Sequence, residues 1–91
     1  MESLDRIEAI LQEGRIGEAK SLLKEYISSS GETPDRAYYL LGNAFRKEGD
    51  WQGAINNYLE AIAINPESPA SNAYRMANDI LDFYNKDMYN Q

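Results

Sequence analysis

The chain has 91 residues, 43% of them apolar, and a formal net charge of −6, which suits one small domain with a modest core and is too apolar for a disordered chain. It contains no Cys and no His, removing disulfides, thiolate or imidazole metal sites, Cys nucleophiles and the usual general base at neutral pH. The acidic balance argues against nucleic acid and anionic membrane surfaces, which call for clustered Lys and Arg.

No apolar run approaches the length of a membrane span. The opening Met1-Glu2-Ser3-Leu4-Asp5-Arg6 lacks the continuous apolar segment of a signal peptide. A soluble, cytoplasmic protein without a cofactor or metal is the expectation.

Residues 2–13 place Leu4, Ile7, Ile10 and Leu11 at helical spacing, and Gly14 is suited to end that helix. A second helix is predicted from about Ile16 to Ser29. Ile16, Ala19, Leu22, Leu23, Tyr26 and Ile27 form its apolar face, and Glu18, Lys20, Lys24 and Glu25 its wet side. Ser28-Ser29-Ser30-Gly31 reads as a stop and loop. Thr33-Pro34 opens a third helix, with Thr33 as cap and Pro34 at the position where a missing N–H costs nothing. It runs to about Glu48, with Tyr38, Leu41, Ala44 and Phe45 on one side. Gly49 stops it and Asp50 caps a fourth helix from Trp51 to Ile64, with Ala54, Ile55, Tyr58, Ala61 and Ile62 inward. Asn65-Pro66 closes that helix, and Ser68-Pro69 starts a fifth, predicted to run to Tyr84. The tail, residues 85–91, carries no strong pattern. No segment alternates with period 2, so the expected class is all-α.

A shift of 35 residues makes the chain partly reproduce itself: Gly14 falls on Gly49, Ala19 on Ala54, Leu23 on Tyr58 and Ile27 on Ile62. A second shift sets Leu41 on Met76, Gly42 on Ala77 and Phe45 on Ile80. Such self-similarity is expected of stacked helical hairpins, each covering apolar surface its neighbour cannot hide alone. Tyr38, Leu41, Gly42, Phe45, Ala54, Tyr58, Ala61 and Pro66 fall at the spacing of the tetratricopeptide repeat, and Gly49-Asp50-Trp51 resembles that family's inter-helix turn. The resemblance implies a right-handed stack of antiparallel hairpins, an α-solenoid of about five helices, in one domain. Residues 1–34 are a degenerate repeat, residues 35–68 a well-matched one, residues 69–84 a capping helix and residues 85–91 a tail. Gly42, Ala54 and Ala61 are expected where helices cross closely. A larger side chain there would overpack the contact at about 1–3 kcal/mol. Truncating Phe45, if fully buried, would cost about 3–5 kcal/mol.

The same resemblance implies a protein-interaction module with a concave groove lined by the first helix of each hairpin. By register the groove positions are Arg36, Tyr39, Asn43, Arg46 and Lys47. On the capping helix they are Ser71, Tyr74, Asn78, Leu81 and Asp82, with Arg75 beside them. The first hairpin offers Leu4, Glu8, Leu11 and Gln12. Tyr39 with Tyr74, and Asn43 with Asn78, are equivalent pairs. Four of the nine basic residues, Arg36, Arg46, Lys47 and Arg75, lie on or beside this face of an acidic protein. A protein or peptide partner of acidic character is therefore expected, its backbone bonded by Asn amides and its side chains packed on Tyr rings. The family subtype that clamps C-terminal carboxylates has Lys, Asn and Arg where this chain has Leu4, Glu8, Leu40, Ser71 and Arg75. Only Arg75 matches, which disfavours that mode.

Other signals are weaker. Asp79 and Asp82 lack the further oxygen ligands a cation needs. No phosphate loop or nucleophile motif is present, so an enzyme is not expected. Trp51 reads as a packing residue at a turn. The alternative to groove binding is self-assembly as a homodimer through the Leu4/Ile7/Leu11 edge or the Tyr84/Met88/Tyr89 end.

Overall fold

The computed structural model describes residues 2–29, 31 and 34–89, with side chains through Phe83. Five helices follow one another: α1 (Leu4–Gln12), α2 (Ile16–Ser29), α3 (Asp35–Lys47), α4 (Trp51–Ile64) and α5 (Ala70–Tyr89). No strand occurs among the described residues. Helices α2 and α4 have the predicted bounds, while α5 continues past the predicted Tyr84. Asn85-Lys86-Asp87-Met88-Tyr89 contains neither Gly nor Pro, so nothing local stops the helix once it is running. The predicted Thr33 cap, and the Tyr84/Met88/Tyr89 side chains offered as a dimer contact, lie outside what is described.

The two hairpin turns are copies of each other. Gly14 and Gly49 sit at φ +88° and +82°, a region that L side chains with a Cβ rarely adopt. In each turn the N–H three positions past the helix reaches back to a carbonyl in its last turn: Arg15 to Ile10 at 3.2 Å and Asp50 to Phe45 at 2.9 Å. This closure consumes carbonyls the helix end would otherwise leave unsatisfied. It also reverses the chain within three residues, so α1 lies antiparallel to α2 and α3 to α4. Side chains cap the starts of α1, α4 and α5, whereas α3 begins on Pro34, which stands at the N-cap instead of the first helical position and supplies no side-chain cap. Ser3 Oγ accepts from the Arg6 N–H at 3.2 Å, Asp50 Oδ1 from Gly53 at 2.9 Å and the buried Ser68 Oγ from Ala70 at 3.1 Å.

Burial divides into two clusters. Ile7, Ile10, Leu11, Ala19, Leu23, Leu40, Leu41 and Ala44 join the first hairpin to α3. Ala54, Ile55, Tyr58, Ala61, Ala70 and Ala77 join α4 to α5. The half-buried Tyr39 and Phe45 pack against both, which makes the stack continuous. Three expectations change here. Phe45 is only half-buried, its ring covered by the Lys20 Nζ at 4.7 Å, so the fully buried aromatic of the stack is Tyr58 instead. Leu40, left off the inward face by the sequence pattern, is 1% exposed. Ile7 and Leu11 are buried against α3, so they offer no free edge for a second copy.

Charge pairs add to the apolar seam between hairpins. Arg36 Nη2 on α3 reaches Asp5 Oδ1 at 2.7 Å and Glu8 Oε1 at 2.9 Å on α1. Lys20 Nζ on α2 reaches Glu48 Oε1 at 2.7 Å, just past the end of α3. All are partly solvated, so each adds at most about 1 kcal/mol.

Helices α3 and α4 approach closely at Gly42. A Cβ there would lie 2.5 Å from Tyr58 Cε1 and 2.6 Å from Cδ1, and the buried ring has no space to retreat. A Cβ at Gly17 in α2 would meet nothing within 4 Å. Helix propensity favours Ala at both sites, so packing alone decides the difference. Chemical denaturation of Gly42→Ala is expected to show a loss of about 1–3 kcal/mol, whereas Gly17→Ala gains up to about 1 kcal/mol.

Candidate groove along the first, third and fifth helices

Helix α3 forms the floor between two adjoining clefts. One, of about 250 Å³, lies between α1 and α3 and is lined by Glu8, Leu11, Gln12, Tyr39, Leu40, Asn43, Arg46 and Lys47. The other, of about 300 Å³, lies between α3 and α5, with Trp51 and Pro69 at its edge and Asn72, Ala73, Met76, Ala77 and Ile80 along α5. Tyr39, Asn43 and Arg46 line both. The helical repeat explains this: residues three and four apart share one face, so 39, 43 and 46–47 form a single row on α3.

The row is held from beneath by Tyr58. Its ring lies 6.1 Å from that of Tyr39, tilted by 38°. Its hydroxyl donates to Asn43 Oδ1 at 2.6 Å. With the amide oxygen so engaged, Asn43 Nδ2 finds no acceptor among the described residues and keeps its two donors for the groove. Burial raises the Tyr58 phenol above its ordinary value, against the opposing pull of the neighbouring Arg46 guanidinium.

The charges on this face are unequal. Arg36 is neutralised by Asp5 and Glu8 and lines neither cleft, so it ties α1 to α3. Its guanidinium is pushed above its usual value by the Asp5 hydrogen bond first and that of Glu8 after it, with burial opposing. Arg46 and Lys47 are exposed and pair with no carboxylate among the described residues. The cation field of the groove therefore comes from these two residues alone on α3.

On α5 the register differs from the repeat-derived one. Tyr74 packs into the α4–α5 cluster, Arg75 is exposed and Asn78 half-buried, and none of the three lines either cleft. The cleft wall is Asn72, Ala73, Met76, Ala77 and Ile80 instead. Met76 and Ile80 match repeat positions that another helix normally covers. No sixth helix follows α5 among the described residues, and Met76 is left 63% exposed. The readable signal was an apolar sector on α5 wider than one neighbour can hide. Trp51 both packs on the second cluster and faces the cleft. Asp79 and Asp82 are exposed, and no group of three or more potential metal ligands forms among the described residues. No described helix is long and apolar enough to cross a membrane.

A family model described as TPR repeat matches residues 42–75, from the middle of α3 through α4 into α5. The solution NMR structure of protein BF1650 from Bacteroides fragilis is similar throughout. It has 52% sequence identity and a TM-score of 0.85, over 100% of this chain and 92% of that one. No curated protein matches.

The Tyr58 hydroxyl gives a pH-dependent signature. Its raised folded-state value means the neutral phenol is the form the fold favours. The stability it contributes is complete below the unfolded phenol value of about 10 and is lost as pH rises through the folded value. Ultraviolet titration is expected to show a phenol ionising above the ordinary tyrosine range that is missing from Tyr58→Phe. The variant's deficit at neutral pH, about 0.5–1.5 kcal/mol for one hydrogen bond, is expected to shrink in strong alkali.

Proposed function

This chain belongs to the tetratricopeptide-repeat family, whose repeats generally mediate protein–protein interaction and are typically non-catalytic, and from that membership we propose that it is a non-catalytic interaction module holding an extended protein segment along α1, α3 and α5. The observation that carries this reading is that two clefts meet over one row of residues, Tyr39, Asn43 and Arg46. A chain lying across α3 would meet hydrogen-bond donors for its carbonyls at Asn43, an aromatic face at Tyr39 and cations at Arg46 and Lys47.

Acidic character in the partner follows from the imbalance of charge. Glu8 is the one carboxylate lining the α1–α3 cleft, and Arg36 compensates it. Arg46 and Lys47 are left to attract an anionic group. Charge of this exposed kind sets encounter rate and discrimination more than affinity. Arg36 acts in this reading as a positioning residue that holds α1 at the rim. Tyr74, Arg75 and Asn78 make no direct contact with a segment seated in the clefts.

A glutamate-rich peptide titrated against the wild type, Arg46→Glu and Arg75→Glu tests this by calorimetry at low salt. Reversal at Arg46 exchanges an attraction for a repulsion of about 1 kcal/mol each, so binding is expected to weaken roughly thirtyfold while Arg75→Glu stays near wild type. Equal binding by wild type and Arg46→Glu would remove the groove assignment.

A further inference from the structure

The two halves of the groove differ in chemistry, and the difference specifies more than an acidic partner. The α1–α3 cleft is polar, its rim carrying Glu8, Gln12, Arg46 and Lys47. The α3–α5 cleft is walled by Trp51, Ala73, Met76, Ala77 and Ile80. Its volume of about 300 Å³ is at the lower end of the range for small-molecule sites and larger than one bulky side chain needs. Met76, 63% exposed, stands on its wall with no helix over it among the described residues. Arg46 belongs to both clefts.

Building on the groove reading above, we propose that the α3–α5 cleft is an anchor pocket for a bulky apolar side chain of the partner segment, placed next to an acidic residue that reaches Arg46 and Lys47. Charge complementarity selects this occupant over a second copy of the chain. Arg46 lines the cleft and Lys47 lines the one adjoining it, neither with a carboxylate partner among the described residues, and no carboxylate lines the cleft itself. Partner segments with only an acidic run would leave the Trp51 side of the groove wet, and purely apolar ones would leave Arg46 and Lys47 without a counter-charge. The pair together uses both clefts, with the backbone between them lying over the Asn43 amide.

Trp51 is the only tryptophan of the chain and lines the anchor pocket, so its fluorescence reports occupancy directly. A random peptide library displayed on phage, selected on the intact protein, names the preferred chemistry. Selected peptides are then resynthesised and titrated by Trp51 emission against wild type, Met76→Glu, Ile80→Glu and Arg46→Glu. The expected result is enrichment of sequences in which a large apolar residue neighbours Asp or Glu. Their binding is expected to shift Trp51 emission and to weaken about tenfold or more when the anchor wall is charged, as for a buried contact at the centre of an interface. Enrichment of acidic peptides without an apolar neighbour, binding with Trp51 unmoved, would overturn the anchor pocket while leaving the groove reading standing. Peptides indifferent to Arg46→Glu and to both α5 variants would overturn both. A wild type that sediments as a dimer and becomes a monomer in Met76→Glu would assign the cleft to a second copy and overturn the proposal.

Discussion

The contact between Gly42 and the Tyr58 ring sets the geometry on which the other packing depends. It brings α3 against α4 at a distance no side chain at position 42 would permit, and it buries Tyr58 completely. A ring held that tightly is a fixed surface on both of its sides. Below it lie Ala54 and Ala61 of the same cluster. Above it stand Tyr39 and Asn43. One close crossing therefore stabilises the hairpin and orients the row that faces the groove, because the hydroxyl that needs a partner inside the fold finds it in Asn43.

Cations in this protein divide by what they face. Arg36 and Lys20 each meet carboxylates on a neighbouring element, and their effect is to fix the first hairpin against α3. Arg46 and Lys47 follow on the same helix and share a cleft with Glu8, whose carboxylate is already engaged by Arg36. The division explains how a chain with net charge −6 presents positive charge over the clefts: Arg36 and Lys20 are absorbed by the interface, whereas Arg46 and Lys47 stand at one end of α3 along the cleft lining.

The hairpins were legible in the sequence to a degree that α5 was not. Gly14, Gly49, Asp50 and Ser68 announce their turns and caps through local chemistry, and local chemistry acts the same whatever surrounds it. The small residues at 42, 54 and 61 were readable for a similar reason, since a repeat position demands a volume. The row on α3 followed from helix periodicity once the inward face was known. What could not be read was which way α5 is turned. Periodicity there supports two overlapping apolar sectors, one through Ala70, Ala73, Tyr74, Ala77 and Leu81 and one through Met76 and Ile80. Only the packing against α4 chooses the first as the buried face. Phe45 failed differently: a repeat position says that an aromatic fits, not how much of it water still reaches when Lys20 lies over its ring.

That choice of rotation is also what makes a capping helix functional. A helix that ends a stack needs apolar residues only where it meets its neighbour, about one-third of its circumference, and polar residues elsewhere. Helix α5 meets that requirement on the side carrying Arg75, Asp79 and Asp82 and departs from it at Met76 and Ile80, where apolar side chains border a cleft instead of a helix. Leaving apolar surface in water carries a cost proportional to its area, and mere capping would be served as well by polar residues at both positions. At Met76 and Ile80 the departure borders the Tyr39, Asn43 and Arg46 row, and the exposed Phe83 continues it one turn further along α5. The position of these residues, rather than the presence of exposed apolar atoms as such, is what connects the end of the stack to the groove.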